Sequence, residues 1–143
     1  MSPSPPLTQF IGRTERALGG LMDQVLAGTG GTFHQWVALN FTAVNGNSID
    51  RGELMARLAD AQIDRAAAEA AITELAGEGL TETAAGSLVA LTDAGRERYA
   101  RLRAAIDHTT APLFADLPAD DVAATQRVLT TISERAAAQL ARA

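Results

Sequence analysis

This sequence predicts a mainly α-helical fold with one small β-hairpin, and three observations predict it. Apolar residues recur at helical spacing in six segments, most of them bounded by a capping residue or by a break containing Gly or Pro. Two of those segments are short and follow one another across a tight turn at Ala61-Gln62-Ile63. Directly after them come two short extended segments, with Ala84-Ala85-Gly86 between them as a hairpin turn.

Residues 1–6 are a Pro/Ser stretch expected to form a flexible tail. The first helix starts at Leu7, with Ile11, Leu18, Leu21 and Val25 on its stripe and Phe10, Met22 and Leu26 widening it. Gly28-Thr29-Gly30-Gly31 ends it, because glycine tolerates a left-handed C-terminal turn. Thr32 caps a second helix with the predicted face Phe33, Trp36, Val37, Phe41 and Val44, and Asn45-Gly46-Asn47 breaks the chain.

Asp50 caps a third helix, with Glu53 three residues on completing a capping box and Leu54, Met55 and Leu58 inward. Asp64 caps a fourth, which buries Ala68, Ala71, Ile72 and Leu75 and stops at Gly77-Glu78-Gly79. These two helices and their tight turn read as a helix-turn-helix. Leu80–Thr83 and Ser87–Leu91 are the extended segments that follow, so the hairpin is a wing. Thr92 or Asp93 caps a long helix carrying Tyr99, Leu102, Ile106 and Leu113, with Pro112 near its end. Pro118 breaks the chain, and Asp120 or Asp121 opens a last helix with Val122, Leu129, Ile132, Ala136 and Leu140 on one face.

The predicted fold is a winged helix-turn-helix with N- and C-terminal dimerisation helices. Residues 7–143 form a single domain, in which 7–28 and 96–143 are the dimerisation helices and 48–95 the winged lobe. The terminal stripes are too long and too apolar for the lobe to cover, so a second copy of the chain is expected to meet them. The alternative is an intramolecular bundle.

At 143 residues the chain can bury a core without metal or disulfide staples. It has no cysteine, which excludes disulfides, thiolate metal sites and thiol redox chemistry. The N-terminus lacks the pattern of a signal peptide and no apolar run approaches the roughly 18 residues of a membrane span, so a cytoplasmic protein is expected. The only histidines, His34 and His108, are far apart, and there is no phosphate loop, serine elbow or helical His-Glu-x-x-His. An enzyme, a metal site and a cofactor are therefore not expected.

Several segments resemble the MarR family of transcriptional regulators. Glu53-Leu54-Met55-Ala56-Arg57-Leu58, Ile63-Asp64 and Ile72-Thr73-Glu74-Leu75 with Gly79-Leu80 look like its helix-turn-helix. Leu91-Thr92-Asp93-Ala94-Gly95-Arg96 resembles its "LT-x-x-G-R" at the wing's exit, and Phe33–Leu39 matches the position of its second helix. The resemblance covers residues 7–140. It implies a triangular homodimer that places each recognition helix in a major groove and each wing at the neighbouring minor groove of a pseudo-palindromic double-stranded DNA operator. It also implies a small aromatic or phenolic ligand held between the dimerisation helices and the winged lobe.

The chemistry departs from the family pattern in the lobe. Family wings carry Asp-x-Arg, whereas Thr83-Ala84-Ala85-Gly86-Ser87 has no basic residue. From Ser48 to Arg96 there are nine carboxylates against four arginines, leaving −5, the same as the whole chain. All twelve basic residues are arginine. Two readings stay open. In one, a homodimeric repressor reads DNA through Arg65, Ala66, Glu69 and Thr73, with Arg51, Arg57 and Arg96 on phosphates and Thr83 to Ser87 at the wing. There Arg65 is placed to read guanine, and the alanines to touch thymine methyls. In the other, the lobe is a protein-interaction module with weak or no DNA binding. The candidate ligand residues are Arg13, His34, Trp36 and Asn40, although Trp36 and Phe33 also suit a core.

Overall fold

The structure, a computed structural model, describes residues 6–142, so the predicted tail lies outside the described residues except for Pro6. Six helices and three strands follow in the order α1 (Leu7–Ala27), α2 (Phe33–Val44), β1 (Ser48–Asp50), α3 (Arg51–Asp60), α4 (Arg65–Gly77), β2 (Thr81–Ala84), β3 (Leu88–Leu91), α5 (Asp93–Phe114) and α6 (Ala119–Arg142). The fold is thus mainly helical with a small antiparallel sheet, as the sequence predicts. The chain divides into two compact units, residues 1–109 and 110–143.

The first unit is built around α2, which packs against α1, α3, α4, β1 and β3. Thr32 opens it with a complete capping box: Gln35 N–H donates to Thr32 Oγ1 at 3.2 Å, and Thr32 N–H to Gln35 Oε1 at 3.3 Å. The buried face differs from the predicted one. Trp36 is buried, but with Gln35, Ala38, Leu39 and Thr42, while Phe33 and Val44 at the helix ends are exposed. A helix surrounded on several sides buries a wide arc near its middle, including small and polar residues that an apolar stripe leaves out. Thr42 is accommodated there because its hydroxyl donates to Ala38 O at 2.8 Å.

The strand β1 is not predicted by the sequence reading, which has Asn45-Gly46-Asn47 lead straight to α3. Three residues carry no legible alternation, and Ser48–Asp50 is a strand because β3 pairs with it, Ile49 facing Val89. The sheet order is β1-β3-β2, and the predicted hairpin forms its β2–β3 half around Ala85-Gly86-Ser87. Ala85 and Gly86 both have positive φ, at 36° and 79°, so this turn strains an alanine next to a glycine that is at ease.

The predicted core of α4 holds, with Ala68, Ala71, Ile72 and Leu75 buried; in α3 Leu54 and Leu58 are buried, while Met55 is only half-buried at the edge of the core. Asp50 caps α3 by accepting from Gly52 N–H at 2.9 Å and Glu53 N–H at 3.3 Å. The reciprocal half of the predicted capping box is absent, because the Glu53 carboxylate is taken by Arg57 at 2.7 Å. Asp64 caps α4 through Ala67 N–H at 2.8 Å. Between them Gln62 adopts φ 66°, which turns the chain sharply enough for the two helices to pack.

Thr92, rather than Asp93, caps α5. Its hydroxyl accepts from Gly95 N–H at 3.0 Å and donates to Gly79 O at 2.6 Å, and its own N–H reaches Leu80 O at 3.1 Å. This brings the first turn of α5 against the Leu80 backbone, so closely that a Cβ on Gly95 would lie 1.9 Å from Leu80 O. The motif Leu91-Thr92-Asp93-Ala94-Gly95-Arg96 is therefore a joint: threonine ties, glycine makes room, and Arg96 donates to Leu91 O at 3.2 Å. Further along, Leu102 and Ile106 of α5 complete the core with Leu39, Ile49, Leu54 and Leu58.

The second unit consists of the end of α5, a turn and α6. Pro118 ends the turn, and its carbonyl accepts from Asp121 and Val122 N–H at 3.1 Å each, so α6 starts at Ala119, just ahead of the predicted Asp120 or Asp121. Both aspartates fall in the first turn, where the helix dipole favours them. No described residue of this unit is buried. Val128, Leu129, Ile132 and Leu140 are exposed along α6.

The joint at Gly95 yields a prediction. Gly95→Ala should destabilise the chain by about 3 kcal/mol or prevent folding, because the obstructing atoms are backbone and cannot swing aside. A urea melt of the variant that matches the parent would contradict this.

Candidate nucleic-acid interface

Helical spacing divides α4 into two faces. Ala68, Ala71, Ile72 and Leu75 point into the core, which leaves Arg65, Ala66, Glu69, Ala70 and Thr73 together on the exposed side. Arg65 stands at the first position, and its Nε donates to Glu69 Oε1 at 3.1 Å. The remaining residues on this face are small, so the helix backbone could approach another surface closely.

The N-terminus of α3 and the turn of the wing are joined beside this face. Arg51 N–H donates to Ser87 O at 2.9 Å, and the Ser87 hydroxyl donates to Asp50 Oδ1 at 2.6 Å. This hydrogen bond, followed by the one from Glu53 N–H, holds the Asp50 carboxyl below its ordinary value; desolvation opposes the shift and Gly52 N–H adds to it. An open cleft of about 590 Å³ runs between α3 and α4, with Met55, Ala59 and Ile63 in its lining and Arg51, Arg65 and Ser87 contributing polar groups. Of the residues predicted to meet DNA, the structure thus brings Arg51, Arg65, Glu69 and Ser87 around one cleft. Ala66, Thr73, Arg57, Thr83 and Arg96 lie outside its lining.

Three of the four arginines in the lobe carry a carboxylate partner. Arg57 Nη2 reaches Glu53 at 2.7 Å and Asn45 Oδ1 at 3.2 Å, Arg65 pairs with Glu69, and Arg96 pairs with Asp93. Among the described residues no carboxylate lies within ion-pair distance of Arg51. Exposed pairs of this kind contribute only about 0.2–1 kcal/mol, so each arginine can exchange its partner for a stronger anion.

Two more of the lobe's acids are accounted for by a residue the sequence reading passed over. Gln35, buried at the start of α2, donates through Nε2 to Glu74 Oε1 at 3.2 Å and to Glu78 Oε2 at 3.1 Å. Both carboxylates are thereby held on the flank of α4 that faces α2, near the positive end of the α2 dipole. The legible signal for Gln35 was the spacing Thr32-x-x-Gln35, which marks a capping box.

The candidate ligand residues do not gather at one place. Trp36 is buried and stacked on Tyr99, with ring centroids 5.5 Å apart and planes 9° from parallel. The Tyr99 hydroxyl donates to Asn40 Oδ1 at 3.0 Å, so Trp36 and Asn40 meet through Tyr99. His34 is exposed and edge-on to Phe33, and Arg13 is exposed on α1 above the Phe10 ring. Among the described residues no group of three His, Asp or Glu is placed to hold a metal ion, and no helix is long and apolar enough to cross a membrane.

Known structures share this fold. A transcriptional regulator of the MarR family from Rhodococcus sp. RHA1 superposes with a TM-score of 0.73 at 21% identity, over 91% of this chain and 96% of its own. CouR from Rhodococcus jostii RHA1, bound to p-coumaroyl-CoA, gives 0.78 at 18% identity over 92% and 96%. NadR in complex with 4-hydroxyphenylacetate gives 0.73 at 19% identity over 93% and 96%. The sequence itself matches no family model and no curated protein. The chain therefore has the winged-helix fold of MarR-family regulators.

The tie between wing and α3 can be tested by titration. Ser87→Ala should raise the Asp50 carboxyl pKa toward the ordinary carboxylate range, followed by NMR of its side chain. A depressed carboxyl stabilises the fold above its unfolded pKa and loses that contribution as pH falls through the folded value. The variant should accordingly begin to lose the α3 cap at a higher pH than the parent, and identical titrations would refute the assignment.

Proposed function

We propose that this winged-helix chain is a homodimeric DNA-binding transcriptional regulator of the MarR family, acting as a cytoplasmic repressor. The observation that carries the reading is the exposed face of α4, headed by Arg65, beside an α3 N-terminus and wing tied together through Asp50, Arg51 and Ser87. In this reading Arg65, Ala66, Glu69 and Thr73 face the major groove. Arg51, Arg57 and Arg96 contact phosphates, and Thr83 to Ser87 approach the minor groove. Arg51, which has no acidic partner among the described residues, is the phosphate contact with least to break.

Dimerisation is supported by what each unit leaves uncovered. In the second unit α6 buries no residue, and an isolated helix in water is marginal without a packed apolar face. In the first unit Leu7, Phe10 and Leu18 of α1 are exposed. A second copy would cover such surfaces and would present two α4 helices to half-sites about 10 base pairs apart. The structures with phenolic ligands support an aromatic effector for this chain too. Trp36, Tyr99 and Asn40 supply an aromatic and polar group for it, with Arg13 and His34 as further candidates.

The paired arginines and a wing without a basic residue favour one competing reading, a protein-interaction module that binds DNA weakly or not at all. Titration of the chain's own upstream DNA between about 50 and about 200 mM salt separates them. A regulator should bind with sub-micromolar Kd, weaken as salt rises, and lose roughly one unit of salt slope per protomer in Arg51→Ala. Added 4-hydroxyphenylacetate, as the probe, should shift the same curve. Binding no better than to unrelated DNA at low salt would rule the regulator out.

Light scattering at micromolar concentration should give twice the chain mass of 14.9 kDa. A monomer would remove the dimer from the proposal.

A further inference from the structure

We infer that Glu69 is a specificity-determining residue, a buttress that pre-orients Arg65 as a fork for guanine. The inference rests on the reading of α4 as the DNA-facing helix and deepens it. Its basis is which nitrogen the carboxylate holds. Glu69 Oε1 accepts from Arg65 Nε, on the inner edge of the guanidinium, and leaves the terminal amino groups Nη1 and Nη2 free. Those are the groups that reach O6 and N7 of one guanine together.

The other paired arginines of the lobe are held differently. Arg57 spends Nη2 on Glu53 and Asn45, and Arg96 spends Nη2 on Asp93 and Nη1 on Leu91 O. One prong of the Arg57 fork and both prongs of the Arg96 fork are occupied, which suits anchoring or a phosphate rather than a bidentate base contact. Arg65 combines a free fork with a side chain that is 86% exposed, at the N-terminal end of the exposed face. Its neighbours on that face, Ala66 and Ala70, offer only methyl groups. Asp64, beside it in sequence, is committed to Ala67 N–H as the cap and does not compete for the guanidinium.

An unsupported arginine must give up the freedom of a long side chain to make a bidentate contact. A carboxylate one helical turn on, gripping Nε, removes part of that freedom before DNA arrives. The same carboxylate repels phosphates. Glu69 therefore acts in two opposite senses, sharpening discrimination while weakening attachment to any DNA. A residue that merely stabilised α4, or merely added negative charge, would not do both.

The experiment is selection of double-stranded sites from a random-sequence library by the full-length chain, followed by titration of selected and scrambled duplexes. The parent should select a half-site with a guanine that Arg65→Ala and Arg65→Lys no longer prefer. Glu69→Ala should lower discrimination at that guanine about two- to fivefold while binding scrambled DNA more tightly. Glu69→Gln, which keeps an acceptor for Nε without the charge, should recover part of the discrimination. Circular dichroism melts show whether α4 stays folded in each variant. If the parent selects a site but Glu69→Ala discriminates as well as the parent or better, or if no selected guanine depends on Arg65, the buttress is wrong and DNA reading stands. If the parent selects no site at all, the DNA-reading function falls and the buttress with it.

Discussion

The close approach of the Leu80 backbone to Gly95 is the constraint on which the rest of the first unit depends. At this one place α4 ends, the wing begins and α5 starts. Thr92 closes the joint by donating to Gly79 O, accepting from Gly95 N–H and reaching Leu80 O with its own amide. Gly79 takes the left-handed φ of 76° that lets α4 hand over to β2. With backbone against backbone, the end of α4 and the start of α5 are held close together. The two short paired strands of the wing leave and return through this joint.

A second tie holds α4 from the other side. Glu74 and Glu78 are one turn apart, and like charges at that spacing oppose helix formation by a few tenths of a kcal/mol. Gln35 offsets this by giving one amide proton to each carboxylate, and it is itself locked by the Thr32 capping box. The C-terminal half of α4 is thereby fixed to α2, and α2 is fixed to α5 by the Trp36–Tyr99 stack and the Tyr99–Asn40 hydrogen bond. The exposed face of α4 is consequently set by its packing on α2 and by the Thr92 joint just beyond its end. Under the proposed function, an aromatic effector that disturbed Tyr99 would act on α4 through those contacts and not through the DNA surface.

What the sequence disclosed follows from range. Caps at Thr32, Asp50 and Asp64 are local chemistry between residues two or three apart, and all three form, although Glu53 does not complete the capping box expected at Asp50. The hairpin and the inward set of α4 are short periodic patterns and equally legible. The strand β1 was hidden because it exists only through pairing with β3, some forty residues on. The buried face of α2 was misjudged because burial there is set by five surrounding elements, which favour Ala38 and Thr42 over the more apolar Phe33 and Val44. In the candidate site, Arg51 and Arg65 could be named from sequence. Which nitrogen of each arginine is engaged, and that Gln35 restrains two acids, are facts of side-chain geometry that no spacing reveals.

The acidity of the lobe acquires a physical sense from this geometry. A surplus of carboxylates is poor for holding phosphates, and a wing without a basic residue adds nothing. Yet Glu74 and Glu78 are restrained on the flank of α4, while Glu53, Glu69 and Asp93 are each spent on an arginine. The proposed reading surface then carries Arg51 and the Arg65–Glu69 pair among alanines small enough to permit close approach. For a regulator, useful selectivity is the ratio of operator binding to the mass of competing non-specific sites, not affinity alone. Lowering the non-specific part raises that ratio as surely as adding a contact does. On the proposed function, the same carboxylates that make the lobe look ill suited to DNA are what would keep it off the wrong DNA.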